Sequence, residues 1–398
     1  MSQTPLQSES DGPDRDAGAP CGEGVSPARV EGVSPSRPAG ILPASGEDDS
    51  ASSSGQGGGT RNAGGTPASR GTPASLTGRA LLEYTLLLAG ATLGVLLVCT
   101  LFGQASLWAE GVWLLRLQKM VTAAVVGAAL ATSGMALQGL LRNPLAEPYI
   151  LGVSSGAGVG VMFSAFFVHV VGWMWLGVPA CALAGAGATC GAVYFIAQRR
   201  GRLDPYTLLL SGVIVNAFNG AVMLMLYLNV PPHEIVNFTT WSMGYITGNL
   251  HWPTFGFAVV ALAVGWGALL VRGAHFNMLG LGDDVAASSG VRVTWLRVET
   301  FVLVSLMTAG AVAISGPIGF VGLIVPHICR LVVGPDHRRL ALVCGFAGAM
   351  FLMVGQTLCG VVGSALRTGE LPVGILTALT GGPFFIYLLR KRRAKVES

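Results

Sequence analysis

Between residues 81 and 389 the chain is a succession of apolar runs separated by short polar breaks. Most runs come close to the ~20 residues that an α-helix needs to cross a bilayer. They cover about 81–102, 120–141, 150–172, 177–197, 206–229, 254–271, 299–315, 320–333, 340–363 and 373–389. In hydrocarbon each run must satisfy its own backbone groups, which a helix does. The pattern predicts an all-α polytopic membrane protein with about ten transmembrane helices. Composition agrees: 52% of residues are hydrophobic, 11% are charged and the mean hydropathy is +0.61, too apolar for a soluble chain of 398 residues.

Residues 1–76 are the exception, and we expect them to form a segment separate from the transmembrane domain at 77–398. They are rich in Gly, Pro, Ser and Ala and repeat themselves, as GVSPAR at 24–29 and GVSPSR at 32–37, and GTPAS at 65–69 and 71–75. Such a stretch has too little apolar surface to offset its ordering entropy, and it reads as a disordered cytoplasmic tail. Asp11, Asp14 and Asp16 with no apolar run behind them argue against a signal peptide. The seven cysteines form no CxxC pair and mostly sit inside apolar runs, where they read as small core hydrophobes.

The basic residues orient the spans. With the N-terminus inside and the spans alternating, Arg79, Arg142, Arg199, Arg200, Arg202, Arg272, Arg292, Arg297, Arg330, Arg338, Arg339, Arg390, Lys391, Arg392, Arg393 and Lys395 fall on the cytoplasmic side. Only Arg116, Lys119 and Arg367 fall outside. Sixteen against three is a strong positive-inside bias, and it puts both termini in the cytoplasm. Trp108, Trp113, Trp173, Trp175, Trp241 and Trp252 lie at outer ends of spans, as an interfacial aromatic belt would.

What is missing also constrains function. The only lysines are Lys119, Lys391 and Lys395, and none follows a GxxxxG loop, so no Walker A motif is present. The span interiors lack the Asp, Glu or Lys of a proton or sodium relay. That disfavours a secondary transporter, although Glu83, Glu147 and Glu299 near span ends keep this alternative open.

Two stretches interrupt the helical pattern. In the first, Gly316-Pro317 ends one apolar run, and the next carries Pro326 and His327 before Arg330 and a basic turn at 334–339. A lone histidine on an apolar helix is more often packed than a ligand, so we assign no metal site, and Arg330 is expected to snorkel to the inner interface. The second stretch, 138–157, holds Asn143-Pro144, Glu147-Pro148, Gly152 and Ser154-Ser155-Gly156. On the residues alone, a breakpoint lining the translocation path and an ordinary turn are equally good readings. Gly127, Ala131 and Gly134, with Gly156, Gly160, Gly185 and Gly187, read as generic close helix packing. Between the sixth and seventh spans, Asp283 is placed to cap a short helix from Asp284 to Ser289 stopped by Gly290. Alone, that segment is either a docking element or a plain loop.

These motifs resemble the FecCD/BtuC family, the permease subunits of ABC importers for iron–siderophores, haem and cobalamin. The GPIGFVGLIVPH stretch at 316–327 with Arg330 is similar to the family signature, and NPLAEPYILGVSSGA at 143–157 to its NPLA-x-P-x-x-LG-x-x-x-GA pattern. ELPVGILTALTGGPF at 370–384 is similar to the family's ending and Trp241-Ser-Met-Gly244 to its W-x-MG element, and the likeness spans roughly 80 to 393.

The resemblance implies a type II ABC importer permease fold. Asn143, Pro144, Gly152, Ser154, Ser155, Gly156, Gly316, Pro317, Pro326 and His327 would line or gate the path. Leu281, Gly282, Asp283, Asp284, Val285, Ala286 and Gly290 would form the loop that couples to the ATPase. Arg116 and Lys119, where the family usually has Arg-x-Pro-Arg, and Arg367 would dock a binding protein, orienting it more than holding it. Gln356-Thr-Leu-Cys-Gly360 departs from the family's Asp-x-x-x-Arg and makes the cavity more neutral.

The expectation is a homodimeric permease in the inner (plasma) membrane, surrounded by lipid. Two ATP-binding-cassette subunits inside would carry the ATP and Mg, with no cofactor in this chain. A periplasmic or lipid-anchored substrate-binding protein would dock outside, and no nucleic acid takes part. An iron–siderophore is the expected cargo, with cobalamin or haem next.

Overall fold

A computed structural model describes residues 78–101, 112–171, 177–199, 202–248, 250–367 and 369–396. The tail at 1–76 and Trp108, Trp173 and Trp175 of the expected belt lie outside the described residues. In chain order the elements are α1 (Gly78–Leu101), α2 (Val112–Leu141), a 3₁₀ turn (Pro148–Leu151), α3 (Val153–Val171) and α4 (Val178–Ala197). Next come β1 (Gln198–Arg199), β2 (Arg202–Leu203), α5 (Pro205–Tyr227), α6 (Pro232–Ser242), α7 (Trp252–Leu281) and α8 (Asp283–Ser288). The chain ends with α9 (Val293–Ser315), α10 (Val321–Val333), α11 (His337–Ala365) and α12 (Val373–Val396).

Each of the ten apolar runs becomes a helix: α1 to α5, α7, and α9 to α12. Among the described residues eight helices are long and apolar enough to cross a membrane, while α10 and the apolar part of α12, Val373–Leu388, are shorter. The helices overrun the hydropathic limits. α2 begins at Val112 and α7 continues to Leu281, because hydropathy marks the hydrocarbon, whereas helical hydrogen bonding persists into the polar boundary. α6 was not anticipated, since its mixed sequence PHEIVNFTTWS carries no long apolar run and buries no residue. The two strands form a minimal antiparallel hairpin pairing Gln198 with Leu203.

α2 is the axis of the bundle. From Met120 to Leu140 nearly every residue is buried, with α7, α9, α10 and α11 packed around it. Small residues set those distances. A Cβ added at Gly127 would lie 2.1 Å from the Gly348 carbonyl oxygen on α11, and one at Gly134 would lie 1.9 Å from that of Gly322 on α10. Backbone therefore touches backbone at both crossings, as in other small-residue membrane interfaces. Gly187 of the expected packing set instead faces open space. Cys99, Cys181, Cys190, Cys329, Cys344 and Cys359 are buried free thiols. Trp113 and Trp252 are exposed near the N-terminal ends of α2 and α7.

Candidate functional site

The two interrupted stretches of the sequence come together in space. Between α2 and α3 the chain cannot stay helical through Asn143-Pro144 and Glu147-Pro148, and the Asn143 side chain accepts from the Leu145 amide at 3.1 Å to close a turn. Between α9 and α10 the helix stops at Gly316, whose φ of +67° suits glycine, and restarts after Phe320, which also sits at φ +67°. Amides and carbonyls freed at one break are satisfied by side chains from the other. Tyr149 Oη donates to the Ile318 carbonyl at 3.0 Å and accepts from the Ile318 amide at 2.8 Å. The Glu147 carboxylate accepts from the Phe320 amide. Buried Gln138 donates from Nε2 to the Gly322 carbonyl at 3.1 Å, and its Oε1 accepts from Arg330 at 3.1 Å. Arg330 is therefore tied to α2 and does not reach freely for the interface.

A second polar knot lies where α3 begins. The Ser155 hydroxyl lies 2.5 Å from Asn216 Oδ1 and 3.1 Å from the Gly152 carbonyl, and it accepts from Asn219 at 3.0 Å. Asn219 also donates to Thr189 on α4 at 3.0 Å. Gly152 turns the chain into α3 at φ +81°, Ser154 is half-buried, and Gly156 packs where any Cβ would meet Thr189. Asn216 and Asn219 went unremarked in the sequence. Their signal was two amides three apart on one face of an apolar run, which need partners in a membrane.

On α10, Pro317 precedes the helix and Pro326 is buried inside it. His327 stands edge-on to Phe384 of α12 at 5.7 Å between centroids. The break also touches two other chain reversals. A Cβ at Gly316 would strike the Trp241 carbonyl, and the Gly374 amide at the start of α12 donates to the Gly244 carbonyl at 3.1 Å.

At one end of the bundle stands α8, and here the capping assignment is corrected. The helix begins at Asp283 itself, with Gly282 preceding it at φ +137°, and no side chain caps it. The Asp283 carboxylate instead accepts two bonds from Arg297 of α9, at 2.8 and 3.1 Å, and pairs with Arg142 beyond α2. It fastens α8 to α9 and to the turn that follows α2. Gly290, at φ +85°, ends the turn as expected: its amide reaches Ala287 O at 3.0 Å, and the Val291 amide reaches Ala286 O at 3.0 Å. Ala286 is fully buried, whereas Leu281, Asp284 and Val285 face outward. Leu281, expected in the loop, is the last residue of α7.

There Asn277 staples α7 to α11, donating to Asp336 at 2.9 Å and accepting from the His337 amide at 2.9 Å. Burial raises the Asp336 carboxyl. Asn277, the Arg338 amide and the Arg339 and Arg338 cations together outweigh this and hold it below the ordinary carboxylate range.

The opposite ends of α2 and α11 hold another cluster. Lys119 is not a free cation, because it pairs with Glu370. Tyr245 Oη donates to the same carboxylate at 3.1 Å, and Gln356, 2% exposed, donates to its other oxygen at 2.7 Å. Burial, then the charge and hydrogen bond of Glu370, push the Tyr245 phenol up to about 12. Gln356, where the sequence had suggested only a lost charge pair, is thus a working member of this cluster. Arg116 shares a small cavity with Lys119 and Tyr245, and Arg367 is exposed in the linker before Glu370.

A model of the FecCD transport family matches residues 80–391, which hold every break and cluster described above. The chain belongs to the FecCD transport family. This FecCD chain is 44% identical over 281 residues to the cobalamin import system permease protein BtuC of Halobacterium salinarum, covering 71% of this chain and 73% of that one. It is 37% identical over 294 residues to the hemin transport system permease protein HmuU of Yersinia pestis, covering 71% and 84%. Among solved structures it is similar to an inward-facing conformation of a metal-chelate type ABC transporter, with TM-score 0.67 and 30% identity over 77% of this chain and 99% of that one. The FecCD chain is thus a permease subunit of an ABC importer and not an enzyme, ATP hydrolysis belonging to a separate subunit.

Proposed function

We propose that this permease forms the membrane path for an iron–siderophore complex. Two copies would share the path on a two-fold axis in the inner membrane, with both termini in the cytoplasm. A pair of ATPase subunits holding ATP and Mg would sit inside, and a substrate-binding protein outside. The observation that carries the reading is the mutual clasp of the two helix breaks by Tyr149, Glu147 and Gln138. Helix breaks inside a bundle supply the discrete hinges that alternating access needs.

In this reading Asn143, Pro144, Gly152, Ser154, Ser155, Gly156, Gly316, Pro317, Pro326 and His327 belong to the moving lining. Leu281, Gly282, Asp283, Asp284, Val285, Ala286 and Gly290 form the coupling element, with Leu281 and Val285 as its exposed apolar contacts. Arg367 and Arg116 orient the binding protein, while Lys119 acts through Glu370.

A second cargo, cobalamin, is favoured by one observation: the 44% identical relative is a cobalamin import permease. The deciding experiment is uptake into liposomes that hold the chain and its cognate ATPase, with the binding protein and ATP supplied. Ferric siderophore and cobalamin are compared as labelled cargo. Uptake of the first alone supports the main reading and of the second alone the alternative. Accumulation without ATP would overturn the importer assignment.

A further inference from the structure

We propose that the α7–α9 corner holds the phosphate headgroup of an anionic phospholipid. A cavity of about 450 Å³ opens there, walled by Arg272 and His275 of α7 and by Arg292, Trp295 and Glu299 at and after the turn into α9. Its charged wall carries two guanidiniums against one carboxylate. Arg272 pairs with Glu299 at 3.0 Å while staying 42% exposed, and Arg292 is exposed with no carboxylate partner in that wall. His275 also lines the cavity, and its buried Nδ1 makes no hydrogen bond among the described residues. A neighbouring cavity of about 470 Å³, across the ridge made by Arg292 and Trp295, lacks that excess of positive charge, because Asp283 and Asp284 in its wall balance Arg292 and Arg297. An anion is sorted to the first.

Depth identifies the anion as lipid. Twenty residues of helix separate Trp252 from Arg272, and twenty separate Trp295 from Ser315. At 1.5 Å per residue each interval spans ~30 Å, the thickness of the hydrocarbon core. The Arg272–Glu299 pair therefore lies where headgroups lie. Trp295, 67% exposed, lines the cavity with an amphipathic ring that suits a glycerol boundary, and Val271, next to Arg272 in sequence, is 73% exposed. Basic pockets between helices at this level are suited to acidic headgroups. Because Gly290 and Val291 also line the cavity, a lipid seated there touches the turn that leads out of α8.

The test is native mass spectrometry of the full chain titrated with phosphatidylglycerol and with phosphatidylcholine. We expect preferential retention of phosphatidylglycerol. The double variant Arg272→Gln/Arg292→Gln should weaken it about tenfold or more, with an unchanged elution profile. Glu299→Gln, which removes the only carboxylate of the wall, should strengthen it several-fold, and this arm decides if the double variant does not fold. Equal retention of the two lipids overturns the proposal, as does phosphatidylglycerol binding indifferent to both variants. Displacement of the lipid by inorganic phosphate at similar concentration would make this a free-anion site. If lipid retention is unchanged while affinity for the ATPase falls in the double variant, the corner is a protein contact and the lipid reading fails.

Discussion

Tyr149 and Ile318 exchange two hydrogen bonds across 169 residues of sequence, the phenol acting as donor to the carbonyl and acceptor from the amide of the same residue. One side chain thus replaces, for Ile318, both backbone partners that the helix break removed. Phe in its place would leave a carbonyl and an amide without partners in a site where Ile318 is fully buried. We expect Tyr149→Phe to destabilise the protein by about 2 kcal/mol, read as a lower melting temperature in detergent, with slowed uptake. Unchanged melting would remove Tyr149 from the clasp.

Neighbouring aspartates should behave differently. Asp283→Ala strips the carboxylate partner from Arg297, which is only 14% exposed, while Asp284 is exposed and makes no comparable pair among the described residues. Asp283→Ala should cost about 1–2 kcal/mol of stability and loosen α8, whereas Asp284→Ala should be silent within ~0.5 kcal/mol. Equal effects in thermal denaturation would contradict the hub assigned to Asp283.

Coupling is separable from folding at the outward face of α8. Val285→Asp, at a residue 44% exposed, should leave the melting temperature unchanged. It should also reduce stimulation of the cognate ATPase about tenfold or more, since a charge would enter an apolar contact. Normal stimulation would move the coupling contact elsewhere.

Acid should expose the role of Asp336. Its carboxyl is held below the ordinary range in the folded protein, so its ionised form contributes stability above the unfolded value of about 3.9. That contribution is lost as pH falls through the lower folded value. Asp336→Asn keeps a capping side chain but no charge. The melting-temperature gap between wild type and variant should be full near neutrality and should close below about pH 4. A gap independent of pH would mean that the charge is idle.

Packing at the α2–α10 crossing allows no side chain. Gly134→Leu would drive its Cβ into the Gly322 backbone and should cost several kcal/mol, at or beyond the ~1–3 kcal/mol typical of overpacking. Loss of folded protein in membranes, quantified by fluorescence size-exclusion, is the expected outcome, and normal yield would argue against this crossing.

The spans were legible because lipid imposes a simple rule on apolar length, and even the short α10 followed from its flanking Pro317 and Gly334. The breaks were legible too, since proline announces them locally. Partners were not. Nothing in the sequence says that Glu147 meets the Phe320 amide or that Asp283 meets Arg297, because those contacts depend on the register of helices far apart in the chain. Asp283 illustrates the error that results. A local rule made it a cap, whereas a long-range pair with Arg297 and Arg142 claims its oxygens. α6 was missed for the converse reason, as its residues obey neither an apolar nor an amphipathic rule strongly enough to stand out.

Glu370 holds three donors at once: Lys119 and Tyr245 on one oxygen and Gln356 on the other. A carboxylate so occupied has little capacity left to attract a passing cation or to strip a metal from its chelator. That end of the bundle is therefore insulated: a cation arriving there meets a carboxylate whose two oxygens are already taken.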